Sequence, residues 1–249
     1  YGATQAFVYA FTFIGGLFAD KILGYRKSLF WGGILMIIGS MILAYDPKAF
    51  FFFGISFTII GTGFFKPNIS TMVGQLYKEG DVRRDAGFSL FYAGINIGAL
   101  LGGYLCIAVG KGEMFSSLIP ENLRWNVAFG FAAVVMMISL LTFIRTQKQI
   151  GNIGLSPLAS MDANKRKMWE WGTYLISLIL LPVIMTMVSK TEYTNYFMYT
   201  IGPATLIYLG YEMMKMNDSD RKKMIAGLVF IFFSIIFWAF FEQSGGSLS

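Results

Sequence analysis

A lysine interrupts one of the long apolar segments of this chain, in the stretch GTGFFKPNIS. Lys66 ends an uncharged run that begins at Ala49, and Pro67 and Asn68 follow it directly. A cation at membrane depth is costly unless it faces a partner or a water-filled cavity, and the proline frees a backbone carbonyl one turn earlier. Lys66 is therefore predicted to be a functional residue that lines a cavity. The alternative is a structural lysine that pairs with a neighbouring helix.

Apolar segments close to the length of a membrane span recur along the whole sequence. The chain is 55% hydrophobic and 14% charged, and segments of about 20 apolar residues predict transmembrane helices. Because it opens at Tyr1 and stops in mid-pattern, we expect an internal piece of a longer protein. The predicted fold class is an all-α membrane protein with eight spans, at residues 3–22, 28–45, 50–74, 86–109, 126–145, 168–188, 195–215 and 224–249.

The basic residues are concentrated in alternate polar segments between these spans. If alternate segments face opposite sides of the membrane, 15 of the 20 lysines and arginines lie on one side and four on the other, with Lys66 in the membrane. The positive-inside rule then places the first residue outside and residues 146–167 in the cytoplasm of a multi-pass inner-membrane protein. The net charge of +6 thus reflects topology, and we expect no nucleic-acid partner.

The available side chains limit the chemistry. The sequence has no histidine, and its single cysteine, Cys106, lies inside a predicted span. An intramembrane enzyme would need a nucleophile–base pair or metal ligands at depth. We therefore predict no enzyme activity, no metal site and no cofactor. Proton transfer would depend on carboxylates, tyrosine or lysine.

Charged side chains flank the turn after the first predicted span. The stretch GGLFADKILGYRK places Asp20 at the end of that span and Arg26 and Lys27 across a short turn. These charges can pair and latch two helices in one conformation of the protein. Ordinary anchoring at the membrane surface is the alternative. On another span, Gly94, Gly98 and Gly102 recur every four residues, which predicts close helix packing.

Two further stretches place polar side chains inside apolar helices. In FSLFYAGINIGAL, Tyr92 and Asn96 share one helix face near mid-span, where an amide needs hydrogen-bond partners. Such a pair also serves as interhelical glue, so a ligand site is one of two possibilities. In FWAFFEQSGGS, Glu242 follows a long apolar run. Desolvation disfavours its ionised form and a nearby cation favours it, so this carboxyl can bind and release a proton.

Four motifs taken together resemble the proton-dependent oligopeptide transporter family, a branch of the major facilitator superfamily. They are GGLFADKILGYRK, GTGFFKPNIS, DVRRDAGFSLFYAGINIGAL and FWAFFEQSGGSL. The resemblance covers nearly the whole chain, from the family's second helix to its seventh. It implies two six-helix bundles around a central cavity, with two additional helices between them. It also implies proton-coupled symport of di- and tripeptides by alternating access, energised by the proton gradient.

The resemblance also implies a domain organisation and roles for particular residues. Residues 1–145 resemble the N-terminal bundle without its first helix, 146–167 a cytoplasmic linker, 168–216 the two additional helices, and 217–249 the first helix of the C-terminal bundle. We expect function as a monomer in the lipid bilayer. The resemblance implies that Tyr9, Lys66, Asn96 and Glu242 bind substrate, and Tyr92 is predicted to bind it with them. Lys66 and Glu242 would also couple protons. The predicted cytoplasmic gate consists of Asp20, Arg26, Lys27, Arg83, Arg84 and Asp85.

The chain departs from the family pattern in two respects. Neither the E-x-x-E-R motif of the family's first helix nor the rest of the C-terminal bundle is in this sequence, so it holds about half of a binding site. Two alternatives stay open. The same fold could transport another small solute, such as nitrate or a carboxylate, or the protein could be a non-transporting sensor or assembly subunit.

Overall fold

The computed structural model describes the backbone of residues 2–243, and the side chains of those residues except 2, 3, 191, 242 and 243. Each predicted span corresponds to one α-helix of this region, and residues 244–249 of the last predicted span lie outside the described residues. A π-helical segment, Ala19–Leu23, joins the first two helices, and short 3-10 helices lie at Glu121–Leu123, Gln147–Ile150 and Pro157–Ser160. The α-helices are α1 (Gly2–Phe18), α2 (Gly24–Tyr45), α3 (Phe51–Gln75), α4 (Arg83–Lys111), α5 (Arg124–Thr146), α6 (Ala163–Ser189), α7 (Thr191–Lys215) and α8 (Asp218–Gln243).

Five helical segments in the described residues are long and apolar enough to cross a membrane. They are the joined α1–α2 segment, α4, α5, α6 and α8. Helices α3 and α7 are not among them; α3 carries the charged and polar residues Lys66 and Asn68 within its length. The prediction of an all-α, multi-pass membrane protein is confirmed.

Residues 1–194 form one compact unit in which α3 packs against α1, α2 and α6. Glycines allow the backbones of these helices to approach closely. A Cβ added at Gly15 of α1 would lie 2.1 Å from the carbonyl oxygen of Gly63 in α3, and one added at Gly32 of α2 would lie 2.5 Å from that of Gly61. Backbone-to-backbone contact of this kind requires residues without a side chain.

Within the described residues, the glycines of α4 do not make the close helix packing that their spacing predicts. A Cβ added at Gly94, Gly98 or Gly102 would meet no described atom within 4 Å. The buried residues of α4 are confined to Ala108–Gly110 near its C-terminal end, because there the Trp125 ring of α5 packs against it. The predicted close packing through the glycine row is therefore absent from the described residues.

The described residues from Asn195 onward belong to a second unit, which holds most of α7 and all of α8. The described side chains of α8 are mostly exposed and many are aromatic. The Phe237 and Trp238 ring centroids lie 5.6 Å apart, and those of Trp238 and Phe241 lie 5.1 Å apart. A helix that exposes an apolar surface of this extent suits a lipid or protein environment.

Candidate functional site

The predicted cavity lysine meets an aromatic ring from another helix. The Nζ atom of Lys66, in α3, lies 4.6 Å from the ring centroid of Tyr9, in α1. Both side chains are exposed in the described structure. The ring face attracts the cation, a contact that contributes about 0.5–2 kcal/mol depending on how dry the site is. Two of the predicted substrate-binding residues are thus neighbours.

Next to this pair, α1 and α3 contact each other mainly through backbone atoms. Asn68 is only 1% exposed, and its Nδ2 donates to the carbonyl of Phe64 at 2.7 Å and to that of Gly15 at 3.5 Å. Pro67 has no N–H, so the Gly63 carbonyl one turn earlier lacks its helical donor. That carbonyl lies directly against Gly15. The register of the two helices is therefore fixed close to the ammonium group and the ring.

The other polar pair predicted for the site lies on α4. The side chains of Tyr92 and Asn96 are exposed, and the Tyr92 ring centroid lies 5.7 Å from that of its neighbour Phe91. Within the described residues, no hydrogen bond or ring contact joins this pair to Lys66 or Tyr9. Their assignment as substrate-binding residues stays a prediction.

The predicted proton-coupling carboxyl, Glu242, belongs to α8, but its side chain lies outside the described residues. This helix belongs to the second unit of the chain. The role of Glu242 in binding and coupling stays a prediction. Across the described residues, no group of acidic, cysteine or histidine side chains could hold a metal ion.

The basic residues after the π-helical segment bind partners other than Asp20. The backbone N–H of Arg26 donates to the carbonyl of Gly154 at 3.0 Å, and its Nε donates to the carbonyl of Ile153 at 2.6 Å. Its guanidinium also donates to the carbonyl of Gly151. No described carboxylate lies within ion-pair distance of Arg26. Arg26 therefore anchors the segment that follows α5.

The same segment fits closely against the turn between α1 and α2. Gly24 has φ +74°, a conformation that favours glycine, and an added Cβ would lie 2.5 Å from the backbone of Leu155. Ser156 Oγ donates to the carbonyl of Ile22 at 2.6 Å. Residues 151–156 are thus docked on this turn through hydrogen bonds that end on backbone carbonyls, which hydropathy patterns do not reveal.

Lys27 binds an acidic residue that the sequence prediction missed. Its Nζ lies 2.6 Å from Oε1 of Glu170 in α6. Glu170 is 8% exposed, and Nε of Arg166 lies 3.9 Å from the same carboxylate oxygen. A buried carboxylate needs a charged or hydrogen-bonding partner. The sequence did contain a signal for this ion pair: Glu170 is an acidic residue among the aromatic and apolar residues of a predicted span, one helical turn after Arg166.

A tryptophan makes the second connection between α2 and α6. Nε1 of Trp31 donates to Oγ of Ser177 at 3.0 Å. The ring centroid of Trp31 also lies 4.7 Å from that of Tyr174. An ion pair, a hydrogen bond and a ring contact therefore join α6 to α2.

The predicted gate residues at the start of α4 make local contacts. Arg83 binds Asp81 through its guanidinium at 2.8 Å and through its backbone N–H at 3.0 Å. These hydrogen bonds lower the pKa of the Asp81 carboxyl from 3.8 to about 2. The guanidinium carbon of Arg84 lies 5.8 Å from the Phe88 ring centroid, and Asp85 is exposed. The predicted charge network linking these residues to the α1–α2 turn stays a prediction.

Comparison with known proteins identifies related sequences over nearly all of the chain. Residues 26–249 match the model of the POT family. The chain is 31% identical to the peptide transporter YePEPT of Yersinia enterocolitica, over 94% of this chain and 47% of the relative. It is 30% identical to a di-/tripeptide transporter of Lactococcus lactis, over 96% of this chain and 48% of the relative. The chain thus spans about half the length of the curated relatives it matches.

A solved structure of a peptide transporter matches the fold of this chain. The crystal structure of a POT peptide transporter in complex with alafosfalin matches 99% of this chain and 49% of its own, with 30% identity and a TM-score of 0.70. This match confirms the predicted major-facilitator-type helical fold. The relatives named here are transporters.

Proposed function

Because the chain belongs to the POT family, we propose that the whole protein carries di- and tripeptides across a cell membrane together with protons. The peptide transporters among its relatives support this cargo. The observation that carries the proposal is the exposed ammonium group of Lys66, held 4.6 Å from the Tyr9 ring centroid inside a membrane protein. An exposed cation at this depth suits an anionic group that enters from water.

The proposed binding mode follows from the charges of a short peptide. Its C-terminal carboxylate would bind the Lys66 ammonium group, because a charge-assisted hydrogen bond is roughly twice as strong as a neutral one. The amide of Asn96 can donate to and accept from the peptide backbone. The hydroxyls of Tyr9 and Tyr92 would complete the polar lining. The ammonium end of the peptide would then bind a part of the protein that this chain does not contribute.

Proton coupling is assigned to Glu242. Protonation of this carboxyl removes its attraction for nearby cations, which would release a contact between helices and allow the cavity to change the side on which it opens. The gate at the cytoplasmic side would use the charges of Asp20, Arg26 and Lys27. The distribution of basic residues supports an inner-membrane orientation with residues 146–167 in the cytoplasm.

Uptake of labelled dialanine into liposomes tests the proposal. The complete protein is reconstituted and assayed with and without an inward proton gradient. We expect gradient-dependent accumulation that tripeptides inhibit and that free alanine and nitrate do not. Lys66→Ala should abolish accumulation, whereas Lys48→Ala, which removes the same charge from a loop, should retain it.

The other outcomes distinguish the alternatives. Inhibition by nitrate and not by tripeptides would assign another solute to the same cavity. Absence of uptake by folded, inserted protein would favour a non-transporting relative. Glu242→Gln should preserve counterflow exchange better than gradient-driven accumulation; equal loss of both activities would assign this residue a structural role.

A further inference from the structure

A cleft of about 310 Å³ lies between α2, α5 and α6. Helix α6 packs directly against α3, whereas it meets α2 through the long side chains that bridge this cleft. The walls combine two basic residues with aromatic and aliphatic ones. The lining residues are Arg26, Lys27, Phe30, Trp31, Ile34, Phe143, Gln147 and Tyr174.

The basic end of the cleft carries an excess of positive charge. Arg26 binds only carbonyl oxygens within the described residues, and the guanidinium fork retains N–H groups that these bonds do not use. Lys27 and Arg166 share a single carboxylate, that of Glu170. Among the described residues, the carboxylate of Glu170 is the one ion-pair partner that Arg26, Lys27 and Arg166 have between them. An anionic group at this end would complete the charge balance.

The rest of the cleft is apolar and follows α2 into the membrane span. Arg26 and Lys27 lie in the first turn of α2, and Ile34 lies two turns further along, about 12 Å along the helix axis. Phe30 and Phe143 line the wall between these levels. Trp31 lies beside them with its N–H bonded to Ser177, an arrangement typical of the interface between headgroups and acyl chains.

We propose that this cleft binds an anionic phospholipid of the surrounding bilayer, with the phosphate at Arg26 and Lys27 and the first acyl methylenes against Phe30, Ile34 and Phe143. The charge excess at one end and the apolar depth at the other match the two parts of such a lipid. Basic pockets between transmembrane helices recognise anionic headgroups in this way. The lipid would contact α2 and α6 together and stabilise the docking of α6.

Native mass spectrometry of the intact protein in detergent tests this proposal. Phosphatidylglycerol, phosphatidylcholine and inorganic phosphate are titrated separately. We expect one tightly retained phosphatidylglycerol, and about fivefold weaker retention after Arg26→Gln, which removes one cation near the headgroup. Lys48→Gln is the matched control, because it removes the same charge from a residue outside the cleft.

A second variant keeps the test valid if the loss of Arg26 disturbs the segment docked on it. Phe30→Glu places a carboxylate in the cleft wall and should repel the phosphate, whereas Phe53→Glu makes the same change outside the cleft. The two phenylalanines are similarly exposed, at 36% and 37%. Equal retention of phosphatidylglycerol by both variants would overturn the proposal. Retention of phosphatidylcholine as tight as that of phosphatidylglycerol would also overturn the proposal. So would retention of inorganic phosphate as tight as that of phosphatidylglycerol.

Discussion

Replacement of Gly15 by alanine should separate α1 from α3. The added Cβ would lie 2.1 Å from the carbonyl oxygen of Gly63, 2.4 Å from its carbonyl carbon and 2.8 Å from the nitrogen of Phe64. All three atoms are backbone, so no rotamer change relieves the overlap. The helices must move apart by about 0.9 Å to reach even a tight contact distance of 3.0 Å. Overpacking of this kind costs about 1–3 kcal/mol.

Gly16 provides a matched control on the same helix. A Cβ at Gly16 would meet nothing within 4 Å, and alanine is favoured over glycine in helices by up to about 1 kcal/mol. Thermal unfolding in detergent should therefore show a lower melting temperature for Gly15→Ala and an unchanged or higher one for Gly16→Ala. Equal melting temperatures for the two variants would refute the claim that the close backbone contact between α1 and α3 stabilises the protein.

Three further predictions follow from the turn and loop contacts. Gly24→Ala should lower the melting temperature more than Gly80→Ala, because both glycines have positive φ but only Gly24 lies against another segment; similar losses would leave backbone strain alone as the cause. A double-mutant cycle of Lys27→Gln and Glu170→Gln should give a coupling energy of about 1 kcal/mol in thermal unfolding, a modest value because the lysine is 46% exposed. Additive effects would show that the ion pair contributes nothing. The pKa of Asp81 is about 2, below its ordinary 3.8, so its stabilisation of the start of α4 is present above pH 4 and is lost as the pH falls toward 2. The protection factors of the amides at the start of α4, each taken relative to the intrinsic exchange rate at the same pH, should fall over that window, and they should not do so in Asp81→Ala.

The sequence predicted the helices because they depend on local composition, and the role of Lys66 as a site residue stays a prediction that rests on the same kind of signal. Apolar length determines where a helix can cross a membrane, and each predicted span contains a helix. Lys66 was identifiable because a charge in an apolar helix is costly wherever the helix packs. Its neighbour Tyr9 could be assigned only through the family resemblance, since tyrosines are frequent in membrane helices and their position alone does not indicate a partner.

The contacts of α6 and of residues 151–156 depend on tertiary arrangement, and the sequence did not predict them. The sequence allowed Arg26 to pair with Asp20 in one conformation, because the two are close in sequence, whereas in this structure Arg26 binds backbone carbonyls 125 and 127 residues away. Carbonyl groups are present in every residue, so no sequence pattern marks those that a guanidinium will select. Lys27 and Glu170 are 143 residues apart, and a single sequence offers no measure that pairs them.

The energetics of Lys66 favour a functional role over a structural one. A lysine at the centre of a membrane helix costs about 2.5–3.5 kcal/mol on insertion scales, and the Tyr9 ring offsets about 0.5–2 kcal/mol of it. A structural lysine would recover the remainder from an acidic partner. Among the described residues, no carboxylate lies within ion-pair distance of Lys66. In the proposed function, water and the carboxylate of an entering substrate would supply the rest of the stabilisation.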